Sequence, residues 1–211
     1  MSSGKFISFE GGEGSGKSTQ LGLLAGKLNK TKLPFIMTRE PGGSKGAEEI
    51  RSLLVSGDDR NWEPLAETLL FQAARCDHID KVIKPNLLEG KTVICDRFVD
   101  STLVYQGIGK SLGKNYIKSL HNMLFGNFMP DLTIILDINP KEGLRRAKGR
   151  GDGEDRFERL AIEFHNKIRD GFLEIAVREP QRCVVLDATK KIDELHNIVI
   201  SIIKERCGIM L

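Results

Sequence analysis

No run of five like charges occurs in this chain, and no apolar stretch approaches the ~20 residues a membrane span requires. The first absence argues against a nucleic-acid-binding arm, the second against a membrane helix. The four cysteines, Cys76, Cys95, Cys183 and Cys207, include no Cys-x-x-Cys pair, which argues against a zinc ribbon or a disulfide framework. Cys95 and Cys183 sit inside apolar runs, where cysteine behaves as a small hydrophobe. No signal peptide fits ahead of the first strand, so a cytoplasmic compartment is expected. No internal repeat and no linker divides the chain. Its 211 residues suit one domain, and a net charge of +3 leaves room for a few arginines to serve an anionic ligand.

What is present is an alternation of short apolar runs with longer amphipathic segments. Strands are expected at Lys5–Glu10, Pro34–Arg39, Thr92–Asp96, Leu132–Asp137 and Arg182–Leu186. Helices are expected at Gly16–Leu28, Lys45–Ser56, Pro64–Leu88, Asn115–Phe125, Pro140–Lys148, Phe157–Arg178 and Ile192–Arg206. Strands that are apolar throughout and separated by helices imply a parallel sheet covered on both faces. The expected fold is therefore a doubly wound α/β sheet of the P-loop NTPase type, with about five parallel strands and a short lid. Ligands in such sheets bind beyond the carboxyl ends of the strands, so the residues that follow each strand are the ones to read.

After the first strand comes Gly11-Gly12-Glu13-Gly14-Ser15-Gly16-Lys17-Ser18-Thr19, which fits G-x-x-x-x-G-K-[ST] between a strand and a helix. Glycines let backbone N–H groups turn inward around phosphate oxygens, and the helix N-terminus adds partial positive charge. Lys17 is placed for the β- and γ-phosphates of ATP and the Ser18 hydroxyl for Mg²⁺. A guanine-reading Asn-Lys-x-Asp segment is missing, because neither Asn29-Lys30 nor Asn166-Lys167 is followed by the aspartate. An Asp-x-x-Gly switch after a strand is missing too, so a regulatory GTPase is a poor fit.

The second strand ends in Thr38-Arg39-Glu40-Pro41-Gly42-Gly43, where Arg39 is placed to clamp a phosphate. The isomer of the Glu40–Pro41 bond stays open at this level. The third strand runs into Asp96-Arg97-Phe98. An apolar run ending in aspartate resembles the Mg²⁺-holding strand of P-loop enzymes, and Arg97 offers a second grip on phosphate. Phe71 and Arg75 lie four residues apart on one helix face. That spacing suits core packing with a salt bridge as well as recognition of a base. Ser101, Tyr105 and Gln106 form a polar, aromatic stretch that says little alone. Between the fourth and fifth strands, residues 145–156 hold three glycines and five cations, the composition of a lid that closes on anions. These pieces fit a kinase that acts on a nucleotide or another small acceptor.

Taken together, the chain resembles the thymidylate kinase (dTMP kinase) family. The matching segments are FEGGEGSGKST, TREPGG, LLFQAAR, DRF, YQG, FMPDLTIILD, the RRAKGRG…DR lid and DAT, spanning Phe6 to Thr189. The resemblance implies transfer from MgATP to dTMP, giving ADP and dTDP, in a homodimer. It implies that Arg39 and Arg97 hold the acceptor phosphate, Phe71 stacks on thymine, and Arg75 hydrogen-bonds it with Gln106 nearby. Tyr105 would crowd the 2′ position, Glu13 would bind the 3′-hydroxyl, and Ser101 would lie on the same side. Ala188 and Thr189 would line the adenine pocket, with Arg146 on the ATP side. Members without an arginine in the phosphate loop, as here with Gly14 and Ser15, carry the catalytic arginine in the lid. Arg150 is the expected residue, with Arg146 and Arg156 as rivals.

Overall fold

The computed structural model describes residues 4–55, 62–148 and 156–210. In it the apolar runs form one sheet of five parallel strands, ordered β2-β3-β1-β4-β5. The strands are β1 (Phe6–Glu10), β2 (Phe35–Arg39), β3 (Thr92–Asp96), β4 (Leu132–Asp137) and β5 (Cys183–Asp187). Around them lie α1 (Lys17–Leu28), α2 (Lys45–Val55), α3 (Pro64–His78), α4 (Lys84–Leu88), α5 (Val99–Thr102), α6 (Lys114–Phe125), α7 (Pro140–Ala147), α8 (Ile162–Arg178) and α9 (Ile192–Cys207).

Successive strand side chains point to opposite faces, so each central strand feeds two cores. Phe6, Val93, Cys95 and Ile135 pack on one face with Ile79, Val104, Ile117 and Phe172. Ile7, Phe9, Ile94 and Ile134 pack on the other with Leu24, Leu28, Val199 and Ile203. Burial on both faces is why the strands lack polar alternation. Two buried hydroxyls interrupt the apolar pattern at the sheet centre, and Ser8 and Thr133 satisfy each other at 2.8 Å.

Three helical segments depart from the sequence reading. The single helix expected over Pro64–Leu88 is broken by a π-helical turn at Ile79–Ile83. Pro85 supplies the reason: it has no N–H to give and its ring excludes a regular turn. The backbone widens instead, and the Lys84 N–H reaches back to the Ile79 carbonyl. The helix expected from Phe157 begins only at Ile162. Phe157 stays in a turn that sets its ring edge-on to Tyr105, centroids 5.5 Å apart. Finally, the stretch after Phe98, for which no element was expected, folds as α5 and a second π-helical turn over Leu103–Gly109. That turn packs tightly on α8. A Cβ on Gly171 would lie 2.6 Å from the Ile108 side chain.

Candidate active site

The loop between β1 and α1 closes around the Lys17 side chain. Gly14 has φ of 65° and lies so close to α7 that a Cβ would meet the Gly143 carbonyl oxygen at 1.9 Å. Only glycine fits such a position. Lys17 curls back over the loop, and Nζ donates to the carbonyls of Gly11 and Gly12, both at 3.1 Å, and to Ser15 Oγ at 3.3 Å. Burial, and then the charge of Arg97, push its pKa down to about 8.

Arg97 is the hub of the site. Its φ of 66° is left-handed, which costs on the order of 1 kcal/mol and persists only because neighbours over-determine it. Those neighbours are identifiable. Its own N–H donates to the Phe9 carbonyl at 2.9 Å. The next N–H, of Phe98, donates to Glu10 Oε1 at 2.7 Å, and Ser101 Oγ donates to Glu10 Oε2 at 2.6 Å. Burial, with Asp100 nearby, raises the Glu10 carboxyl to about 8. The Arg97 guanidinium donates to the Gly11 carbonyl at 3.0 Å, Ser101 Oγ at 3.1 Å and Glu13 Oε1 at 3.0 Å. Burial opposes its charge, but the surrounding acids outweigh that and hold it protonated. Tyr105 donates to the same Glu13 oxygen at 2.7 Å, with its ring 5.1 Å from the guanidinium. Glu13, Arg97, Ser101 and Tyr105, singled out separately in the sequence, therefore form one cluster.

On the other side Arg39 leaves β2 half exposed and pairs with Glu48 of α2, Nη2 to Oε2 at 2.9 Å. The Glu40–Pro41 bond that follows is cis. Glu40 is buried and accepts from Arg75 Nε at 2.7 Å and His78 Nδ1 at 3.1 Å. Arg75 Nη2 donates to Thr102 Oγ1 at 2.9 Å, and Phe71 lines the cleft beside it. Gln106 donates to Glu67 at 2.8 Å. Glu40, Glu67 and Thr102 were not read from the sequence. Glu67 could have been, since it lies four residues before Phe71 on the face that also carries Arg75. Glu40 and Thr102 gave no signal, because only the fold brings them to Arg75.

Arg146 donates to the Ala188 carbonyl at 3.0 Å and to Glu142 Oε1 at 3.0 Å. Arg156 is bound to the Leu54 carbonyl at 2.9 Å and to Glu67. Arg150 lies outside the described residues. Ala188, Lys190, Lys191 and Ile192 line the cleft beyond α1. Thr189 is not among the lining residues, and its N–H and hydroxyl both bond Asp187. Ser18 and Asp96 both line the cleft, and Asp96 Oδ1 is buried with no partner among the described residues. An unsatisfied carboxylate oxygen lining the same cleft as a hydroxyl suits Mg²⁺, a hard cation that takes few protein ligands and keeps phosphate and water oxygens. No cluster of three or more acidic, histidine or cysteine side chains capable of caging a metal occurs among the described residues.

Residues of the β1–α1 loop, Arg39, Phe71, Arg75, Arg97, Tyr105, Gln106, Arg146 and Ala188 all line one cleft of about 770 Å³. A parallel sheet with this loop at its carboxyl edge defines the P-loop NTPase class. The thymidylate kinase family profile matches residues 9–199. A thymidylate kinase of Caulobacter vibrioides is 49% identical over 99% of this chain and 100% of its own length. One of Nitrobacter winogradskyi is 53% identical over 90% of this chain and 84% of its own. The crystal structure of thymidylate kinase from Ehrlichia chaffeensis superposes with a TM-score of 0.78 at 36% identity, covering 96% of this chain and 99% of that one. The chain belongs to the thymidylate kinase family, and it carries that activity, transfer of the γ-phosphate of ATP to dTMP giving ADP and dTDP.

Proposed function

We propose the following division of labour for that reaction. ATP lies along Gly11 to Thr19, with Lys17 on its β- and γ-phosphates and its base between Arg146 and Ala188, near Thr189. The dTMP phosphate sits between Arg39 and Arg97, its sugar against Glu13, Ser101 and Tyr105, and its base against Phe71, Arg75 and Gln106. Ser18 and Asp96 would hold Mg²⁺ from the protein side, and the ion would supply neutralisation of the phosphate charge. A phosphate oxygen of dTMP attacks the γ-phosphorus while the bond to the bridging oxygen breaks, and ADP leaves. Arg97 contacts both partners because it stands between the phosphate loop and the acceptor wall. Arg39 reaches the acceptor phosphate by exchanging the Glu48 carboxylate for it. A lid arginine completes the positive charge around the transferring group, with Arg150 assigned first and Arg146 and Arg156 behind it.

The observation that carries this reading is the Glu13–Arg97–Tyr105 cluster, which joins the phosphate loop to the acceptor side within the same cleft. We read the whole chain, 1–211, as one domain with a lid near 145–156, acting in the cytoplasm where ATP and dTMP are found. We also assign it a homodimer, consistent with apolar side chains left exposed on α3 and α6: Leu65, Leu69, Tyr116, Met123 and Leu124. Among the described residues no helix is long and apolar enough to cross a membrane.

The test is ADP release with dTMP, dUMP, dCMP and shikimate offered as acceptors, in wild type and in Lys17→Ala. We expect dTMP to stimulate turnover most. Lys17→Ala should lower kcat by about 10³-fold or more while melting like wild type. Turnover in Lys17→Ala within tenfold of wild type would refute the cradle assignment.

A further inference from the structure

Glu67 stands at a junction that the roles above leave unexplained. It is fully buried on α3. Oε1 accepts from Gln106 Nε2 at 2.8 Å, while Oε2 accepts from Lys110 Nζ at 2.8 Å and from Arg156. The two cations offset the cost of burying a carboxylate. The consequence falls on Gln106. A carboxylate only accepts, so the NH₂ end of the Gln106 amide must face Glu67. The carbonyl oxygen is the end left over. No described residue donates to it, and Gln106 lines the cleft. Arg75, which is a donor only, lines the same wall.

We propose that Glu67 is a specificity-setting positioning residue, locking the Gln106 amide with its carbonyl oxygen toward the acceptor's base. A wall with one fixed acceptor beside a fixed donor suits a base edge that carries a ring N–H next to a carbonyl oxygen, as in a 4-oxopyrimidine. Released from Glu67, the amide rotates and offers its NH₂ instead. That end suits a bare ring nitrogen, as in a 4-aminopyrimidine. Glu67 thus acts on discrimination through Gln106 without touching the substrate.

This inference rests on the placement of the base against Phe71, Arg75 and Gln106. The experiment is a double-mutant cycle of Glu67→Gln and Gln106→Met, reading KM, kcat and the ratio of kcat/KM for dTMP over dCMP. Glu67→Gln alone should raise the dTMP KM about tenfold, leave kcat within about twofold, and lower the dTMP/dCMP ratio about tenfold. In the Gln106→Met background it should change the ratio by less than about twofold. A ratio unmoved by Glu67→Gln, or an equal drop with Gln106 already replaced, overturns the proposal. If the base lies elsewhere, Gln106→Met itself leaves the dTMP KM unchanged. If only the Glu67 role is wrong, Gln106→Met raises that KM and Glu67→Gln does not. Should Glu67→Gln fail to fold, the unaltered protein still decides. The ¹⁵N side-chain amide signal of Gln106, identified by its loss in Gln106→Met, should exchange slowly with solvent in both free and dTMP-bound forms. An amide that is unprotected in the dTMP complex overturns the assignment.

Discussion

At the scale of single residues, the site depends on charges placed where water cannot relax them. Glu10 is the clearest case. Its side chain holds the backbone on the far side of Arg97, yet burial and Asp100 raise its carboxyl to about 8 from an ordinary value of 4.5. The fold therefore favours the neutral acid. That contribution is complete below about pH 4.5 and is lost as pH rises through about 8. Glu10→Gln fixes the neutral form at every pH. Its Tm relative to wild type should rise steadily between about pH 5 and about pH 8.5. A difference that stays flat over that range would mean that the Phe98 N–H and the Ser101 hydroxyl fully offset the burial. Arg39 shows the opposite situation. It is half exposed, and its pairing with Glu48 holds the Glu48 carboxyl below its usual value. Solvent screening keeps such a pair weak, so the proposed exchange of Glu48 for a phosphate would cost Arg39 little.

At the scale of elements, the phosphate loop is shaped as much by α7 as by its own glycines. The backbone of Glu13 and Gly14 presses on Gly143, and a Cβ on Gly143 would lie 2.3 Å from the Glu13 carbonyl oxygen. Gly143→Ala should lower Tm by several degrees and raise the KM for ATP, although residue 143 is outside the motif. Gly22→Ala provides the comparison, since a Cβ there meets nothing within 4 Å. Inside α1 that change should leave Tm equal or slightly higher, by the roughly 0.5–1 kcal/mol that alanine gains over glycine. Equal behaviour of the two variants would show that the loop does not need the contact with α7. The same element carries Arg146 toward the Ala188 carbonyl, so α7 touches both the β1–α1 loop and the turn after β5.

At the scale of the whole molecule, a buried ion pair ties α5 to the start of the far strand, β5. Arg182, just before β5, makes bonds of 2.7 and 2.8 Å to the two oxygens of Asp100 in α5. Asp100 has no exposed surface. Arg182→Met would strand that carboxylate, at a cost of about 3–5 kcal/mol. The expected loss is roughly 10 °C in Tm, and a loss under about 3 °C would show that Asp100 finds another partner or a proton. Outside the core, Leu65 and Leu69 project from α3 on the side opposite Glu67, Phe71 and Arg75, and Leu69 is 50% exposed. If that face joins two copies, Leu69→Glu should sediment as a monomer where wild type sediments as a dimer. Identical sedimentation would place the contact elsewhere.

The sequence by itself determined the sheet, the phosphate loop and the arginines that follow β2 and β3. Apolar runs such as Leu132–Asp137 permit little except a buried strand, and the loop motif needs particular residues at fixed spacing. Helix ends were less legible: Pro85 breaks its helix by chemistry that apolar periodicity does not register, and Phe157 stays in a turn against Tyr105, a neighbour far along the chain. The partners of Arg75 were legible only in the fold. Glu40 is 35 residues away from it and Thr102 is 27, and nothing local couples them. What tertiary structure alone decided is how each polar group of the site is aimed. Glu10 holds Arg97 in a left-handed turn, and Glu67 turns the Gln106 amide. Both act because a buried donor or acceptor must find a partner, and only packing determines which one is within reach.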